Sequence, residues 1–213
     1  MSKVHILRRL SDKPIIKKNP LTYKAAADLG ETARLTCEAQ GVPNVTFYWA
    51  KAGGQRLAEG LKYEMNSRML DPLTWQAEFF IANVTSLDYG GYECIARNSE
   101  GTTSASVYLD VKSRPEPPTA LRVVNVTHRA VKVEWSPGFH GGMDQYFRLM
   151  YKPTKQSETK YWDVYPANSA SAVISDLEPG IEYEIDVMSM NNLGESNFTY
   201  EPVTITTASK CYL

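Results

Sequence analysis

Asp88-Tyr-Gly-Gly-Tyr-Glu-Cys94 is the stretch that decides how this chain folds. It sets Tyr92 two residues ahead of Cys94, on the same face of an extended strand, because side chains alternate there with a period of two. A tyrosine so placed sends its hydroxyl back to the backbone a few residues upstream and closes a corner of a β-sandwich. A second cysteine, Cys37, lies 57 positions earlier, and Trp49 follows it by twelve. That spacing carries a Cys37 to Cys94 bridge from one sheet to the other, with the indole packed on it.

Outward from this stretch, apolar residues recur at every second position in short runs separated by Gly, Pro and Asn. The rows are Ala33, Leu35 and Cys37; Phe47 and Trp49; Ala77, Phe79 and Ile81; Tyr92, Cys94 and Ala96; and Ala105, Val107, Leu109 and Val111. Such rows are strands with one buried face, and helical periodicity is absent. With cysteine pair, tryptophan and tyrosine corner in agreement, residues 14–112 resemble the immunoglobulin superfamily, and Asn98-Ser-Glu-Gly101 reads as the hairpin turn between its last two strands. The short interval between Trp49 and Trp75 leaves little room for extra edge strands, so the smaller, intermediate (I-type) kind is expected, without variable-type binding loops. Once oxidised, the bridge contributes on the order of 2 to 5 kcal/mol of stability and no chemistry.

Residues 113–118, Ser-Arg-Pro-Glu-Pro-Pro, form a proline-rich linker, since proline resists both helix and sheet pairing. The linker is expected to limit bending between the two sandwiches. A second domain, residues 119–209, opens with Ala120-Leu-Arg-Val123 and continues with the inward rows Val131, Val133 and Trp135; Phe147, Leu149 and Tyr151; and Tyr183, Ile185 and Val187. It has no cysteine pair, so Trp and Tyr must seal its core. Trp135, Leu177, the Pro179-Gly180 turn, Tyr183 and the Asn192-Leu-Gly-Glu195 turn together resemble a fibronectin type III domain. The fold class expected is therefore all-β, two tandem β-sandwiches, immunoglobulin-like and then fibronectin type III.

Trp135-Ser-Pro-Gly-Phe-His-Gly-Gly-Met143 is similar to a phrase in nephrin-like and echinoid-like adhesion receptors. The resemblance implies a membrane-proximal ectodomain fragment of a cell-surface adhesion receptor, on the extracellular side of the plasma membrane. It acts there as spacer and protein-interaction module, with homophilic or heterophilic partners in the immunoglobulin superfamily. Two alternatives stand beside it: an intracellular muscle-type scaffold built of the same modules, and the ectodomain of a signalling receptor with a cytoplasmic enzyme.

The 213 residues suit two sandwiches of about 100 residues each. A hydrophobic fraction of 43% and a charged fraction of 22% are ordinary for a globular chain, and a formal net charge of −1 gives no broad attraction to nucleic acid or acidic membranes. No run approaches the roughly 20 apolar residues of a membrane-spanning helix, and the start lacks the apolar core of a secretory signal. The chain is accordingly expected to be a piece of a longer, membrane-anchored protein, with signal and anchor outside it.

Four Asn-x-Thr acceptor sequences occur, at Asn44, Asn83, Asn125 and Asn197, each a candidate glycan site in an exported protein. Cys211 reads as a free thiol, with an intermolecular bridge close to the membrane as the alternative. The basic pairs Arg8-Arg9 and Lys17-Lys18 read as solvated surface, and Met188 and Met190 as cover for an outer sheet face or a neighbouring strand. Nothing converges into a catalytic set. The three histidines, His5, His128 and His140, share no metal-ligand spacing. Ser157-Glu-Thr-Lys160 and His140-Gly-Gly142 lie in loops without the helix or strand-turn-helix that a nucleophile or an oxyanion site needs. No enzyme activity, cofactor or metal is expected.

Overall fold

Every alternating row becomes a strand in the computed structural model, which describes residues 12–209 and divides into two units, Met1–Lys112 and Ser113–Leu213. In the first unit β1 (Asp12–Lys17) is followed by a helical turn, α1 (Pro20–Tyr23), then β2 (Lys24–Ala26), β3 (Ala33–Val42), β4 (Thr46–Lys51), β5 (Tyr63–Asp71), β6 (Thr74–Ile81), β7 (Gly90–Asn98) and β8 (Gly101–Asp110). The strands form two four-stranded sheets, β1-β3-β6-β5 and β2-β8-β7-β4. The turn α1 carries the chain from one sheet to the other. Its cap is built from Asn19, whose Oδ1 accepts from the Leu21 and Thr22 amides, while Thr22 Oγ1 accepts from the Asn19 amide. Pro20, at the first helical position, has no N–H to leave unsatisfied.

Between the sheets Trp49 stacks on Phe79 at 5.2 Å, Phe79 meets Tyr92 at 5.9 Å, and Leu35, Ile81, Val107 and Leu109 fill the layer around them. The span between β4 and β5 holds an isolated bridge, Ala50 to Arg56, and no further strand. One expected core residue fails: Val111 is 48% exposed. Strand β8 stops at Asp110, whose Oδ1 accepts the Val111 amide, and past that point the alternation of the sequence no longer reports a face of the sheet.

The second unit holds β9 (Thr119–Val126), β10 (Val131–Ser136), β11 (Tyr146–Pro153), β12 (Lys160–Val164), β13 (Ser171–Ile174), β14 (Glu182–Asn191), β15 (Gly194–Phe198) and β16 (Val203–Thr206). One sheet runs β13-β10-β9; the other runs β12-β11-β14-β15, with β16 also on β14. Trp135 lies 5.3 Å from Phe147 over a core of Val131, Val133, Leu149, Ile185 and Val187. The Tyr183 hydroxyl accepts the Glu178 amide at 3.0 Å, fixing the approach to β14.

Residues 113–118 form no strand and are fastened to the loop after β10. Ser113 N donates to Gly141 O at 3.1 Å, Glu116 N to Phe139 O at 2.8 Å, and Asn191 Nδ2 to Ser113 O at 2.8 Å. Gly141 has φ +70°, and a Cβ there would lie 2.0 Å from Ser113 O. Only glycine fits, which gives the Gly-rich phrase after Trp135 a structural cause.

Candidate protein-contact surfaces

The predicted cysteines of the first unit are structural. Cys37 and Cys94 are bonded, with Cα atoms 6.4 Å apart and neither residue exposed. Tyr92 donates its hydroxyl to Asp88 O at 2.7 Å, and burial holds its phenol far above the usual range. The carboxylate of Asp88 accepts from Lys62 Nζ at 2.7 Å, from the Thr85 amide at 2.7 Å and from Thr85 Oγ1 at 2.8 Å. Burial alone pushes the Asp88 carboxyl up; Lys62 and Thr85 outweigh it and bring the group below the ordinary carboxylate value.

The four acceptor asparagines are all exposed and widely separated along the fold. Asn44 lies between β3 and β4, Asn83 follows β6, Asn125 is on β9 and Asn197 on β15. Their threonines differ. Thr46, Thr85 and Thr127 are exposed, whereas Thr199 is only 8% exposed.

The outer face of the β12-β11-β14-β15 sheet has the composition of a protein-contact surface. Strand β11 presents Tyr146, Arg148 and Met150 on the register opposite to its core residues Phe147 and Leu149. Pairing sets Tyr161 beside Met150, Asp163 and Met188 beside Arg148, and Met190 beside Tyr146. Arg148 is held as a fork: Nε donates to Asp163 Oδ1 at 2.6 Å and Nη2 to Oδ2 at 3.2 Å, with Glu195 Oε1 3.7 Å from Nη1. The pairing raises the Arg148 pKa and lowers that of Asp163, each through their shared hydrogen bonds first. Around this pair Tyr161 is 58% exposed and Tyr165, edge-on to Tyr146, is 74% exposed. Tyrosine, methionine and arginine are the residues enriched at protein interfaces, and a pre-ordered arginine loses little freedom on contact. Met188, read from the sequence as cover for an outer sheet face or a neighbouring strand, is only 6% exposed and so underlies this face without presenting itself on it. The signal for the rest lay in the off-core positions of β11 and β12, every second residue between those already assigned to the core.

In the first unit a groove of about 500 Å³ opens between the facing edges of β4 and β5, lined by Phe47, Trp49, Leu57 and Met65 with Arg56 and Glu59. Arg56 is drawn to one side of it, 3.6 Å over the Tyr48 ring. His140 accepts the Gly142 amide on Nδ1 at 2.8 Å, so that loop is closed on itself. Among the described residues no three His, Cys, Asp or Glu side chains gather as metal ligands, and no helix is long and apolar enough to cross a membrane. His5, Arg8, Arg9 and Cys211 lie outside the described residues.

Comparison with known proteins agrees with both sandwiches. The family model of the immunoglobulin I-set domain matches residues 16–111, and that of the fibronectin type III domain residues 116–206; neither is a family of enzymes. Mouse nephrin (Mus musculus) is 36% identical over 188 residues, 87% of this chain and 15% of nephrin. Human nephrin (Homo sapiens) is 34% identical over 191 residues, again 87% of this chain and 15% of the relative. Human protein turtle homolog A is 28% identical over 179 residues, 81% of this chain and 14% of the relative. The chain thus spans about 15% of the length of the nephrins it matches. Among solved structures, a run of titin domains aligns over 93% of this chain and 68% of its own at 21% identity, with a TM-score of 0.41. The chain is a member of the immunoglobulin superfamily in which an I-set domain, residues 16–111, is followed by a fibronectin type III domain, residues 116–206.

Proposed function

We propose that this chain is a membrane-proximal, non-catalytic part of a cell-surface adhesion or recognition receptor, lying on the extracellular side of the plasma membrane. The observation that carries the reading is the continuous similarity to nephrin through both domains, over 87% of the chain. The bridge between Cys37 and Cys94 supports an oxidising compartment, where such bonds persist. Its partners are other cell-surface proteins of the same superfamily, met homophilically or heterophilically. Contact runs through the outer face around Arg148, and the remainder of the two sandwiches serves as spacer. Single contacts of this kind are weak, and many copies on apposed membranes raise their avidity through effective concentration.

The test is clustering of cells that display the chain on a membrane anchor, compared with cells displaying Arg148→Glu combined with Tyr161→Ala. The reading predicts clustering, or capture of superfamily ectodomains, that the double variant reduces at least tenfold while surface expression is unchanged. Equal behaviour of the two displays would remove the Arg148 face from the proposal. The absence of any such contact by the unaltered chain would leave it a spacer.

A further inference from the structure

We propose that Asn197 is a fold-gated glycan acceptor, open to modification before β15 docks on β14 and closed to it afterwards. The inference rests on the extracellular reading for its role in a cell, and on geometry for the gate itself. In N-glycosylation the side-chain amide nitrogen of asparagine attacks the anomeric carbon of a lipid-pyrophosphate-linked oligosaccharide. The new C–N bond replaces the C–O bond to the pyrophosphate, which leaves with the bonding electrons, and one amide proton passes to base. The acceptor must present asparagine together with a Ser or Thr hydroxyl two positions on.

At Asn197-Phe-Thr199 the fold uses that hydroxyl for itself. Asp186, on the central strand β14, is 7% exposed, and its Oδ1 accepts from the Val187 amide at 2.7 Å, from the Thr199 amide at 3.1 Å and from Thr199 Oγ1. The Thr199 amide is also shared with Val187 O at 3.0 Å. Presenting the hydroxyl to a transferase therefore means taking a donor away from the buried Asp186 side chain, which is unfavourable.

The other acceptors are built differently. Thr46 and Thr127 are exposed and give their hydroxyls only to backbone oxygens, Arg97 O at 3.1 Å and Ala130 O at 3.2 Å. Thr85 repeats the pairing, giving both its amide and its hydroxyl to the buried Asp88 at 2.7 and 2.8 Å, but Thr85 itself is exposed. Asn197 is set apart because its threonine is buried as well as held by a buried carboxyl side chain.

The asparagine side of the same acceptor is free. Asn197 is exposed on β15, the terminal strand of its sheet, so a glycan added early is compatible with the finished domain. Asn197 lies two residues after Glu195 on the same strand. Occupancy at Asn197 is then set by a race between transfer and docking of β15, and it yields two forms of the chain, one with a glycan on β15 and one without.

The experiment uses purified oligosaccharyltransferase and a lipid-linked oligosaccharide donor on the whole chain, refolded or held unfolded in a denaturant the enzyme tolerates, with occupancy read site by site by peptide mass spectrometry. The expected result is at least a tenfold rise in Asn197 modification on unfolding, against a smaller change at Asn44. Asp186→Ala, with circular dichroism reporting whether the sheets persist, is expected to raise Asn197 modification in the refolded chain. Equal modification of Asn197 in the refolded and unfolded wild-type chain overturns the gate, as does a folded Asp186→Ala chain with unchanged occupancy. Because the reaction is run in vitro, its outcome does not depend on where the protein lives. Failure of the extracellular reading would instead show as secreted material bare at all four sites.

Discussion

Replacing both bridge cysteines, Cys37→Ala with Cys94→Ala, perturbs the first domain through its unfolded state. The bond joins residues separated by 57 positions. The chain-entropy relation, about 2.1 plus 1.5R ln n, gives about 14 cal/mol/K for such a loop, or about 4 kcal/mol at room temperature. Both cysteines are fully buried against the Trp49 layer, so the lost sulfur contacts add to the cost and do not offset it. A sandwich of this size has a total stability of about 5 to 15 kcal/mol, of which 4 is a large share. In urea titration followed by tryptophan fluorescence, the first-domain midpoint should fall by about 2 to 4 M. The second domain has a separate core without a bridge, and its transition should stay in place. A first-domain shift below about 0.5 M at unchanged slope, or an equal shift of both transitions, would refute the reasoning.

Tyr92→Phe removes the donor to Asp88 O and should cost the first domain about 1 to 3 kcal/mol, read as a lower urea midpoint. The Asp88 carboxyl titrates below its ordinary value in the fold, because Lys62 and Thr85 outweigh its burial. Its stabilisation is therefore present above about pH 4 and lost as pH falls through the folded value; thermal melts should show this acid slope, and Lys62→Met should flatten it. Burial holds His140 below its ordinary value, with Asp144 pulling the other way, so the unfolded chain takes up the proton first. Second-domain melting temperature should thus decline as pH falls below about 6.5, because protonation also opposes the Gly142 amide bond to Nδ1. A second-domain melting temperature that is flat or rising on acidification contradicts the assignment.

What the sequence discloses is what a period of two can carry. The rows through Cys37, Phe79, Cys94 and Val133 were legible because one face of each strand is buried and the other is wet. Val111 misled because its alternation outruns the strand, whose end is fixed by the Asp110 side chain on the next amide. Strand β5 was invisible for the opposite reason: as an edge strand it is largely exposed on both faces, so no apolar row marks it. The α1 turn did carry a local signal, Asn19 and Thr22 bracketing Pro20, of the kind a capping box leaves. The Arg148 face was half legible, since assigning Phe147 and Leu149 inward forces Tyr146, Arg148 and Met150 outward. Their grouping with Tyr161 and Asp163 needed the register between β11 and β12, which no local pattern encodes. The same holds for Thr199, which in the sequence is one more acceptor threonine and is distinguished only by Asp186 across the sheet.

The central claim is that this pair of domains works outside the cell. Intact mass of the chain secreted from eukaryotic cells, taken before and after glycan removal and after thiol labelling, tests compartment and bridge together. The account predicts a glycosylated chain in which Cys37 and Cys94 are protected from label. A chain that is not secreted, or a well-folded bare chain with both thiols free, would contradict it and favour the intracellular scaffold.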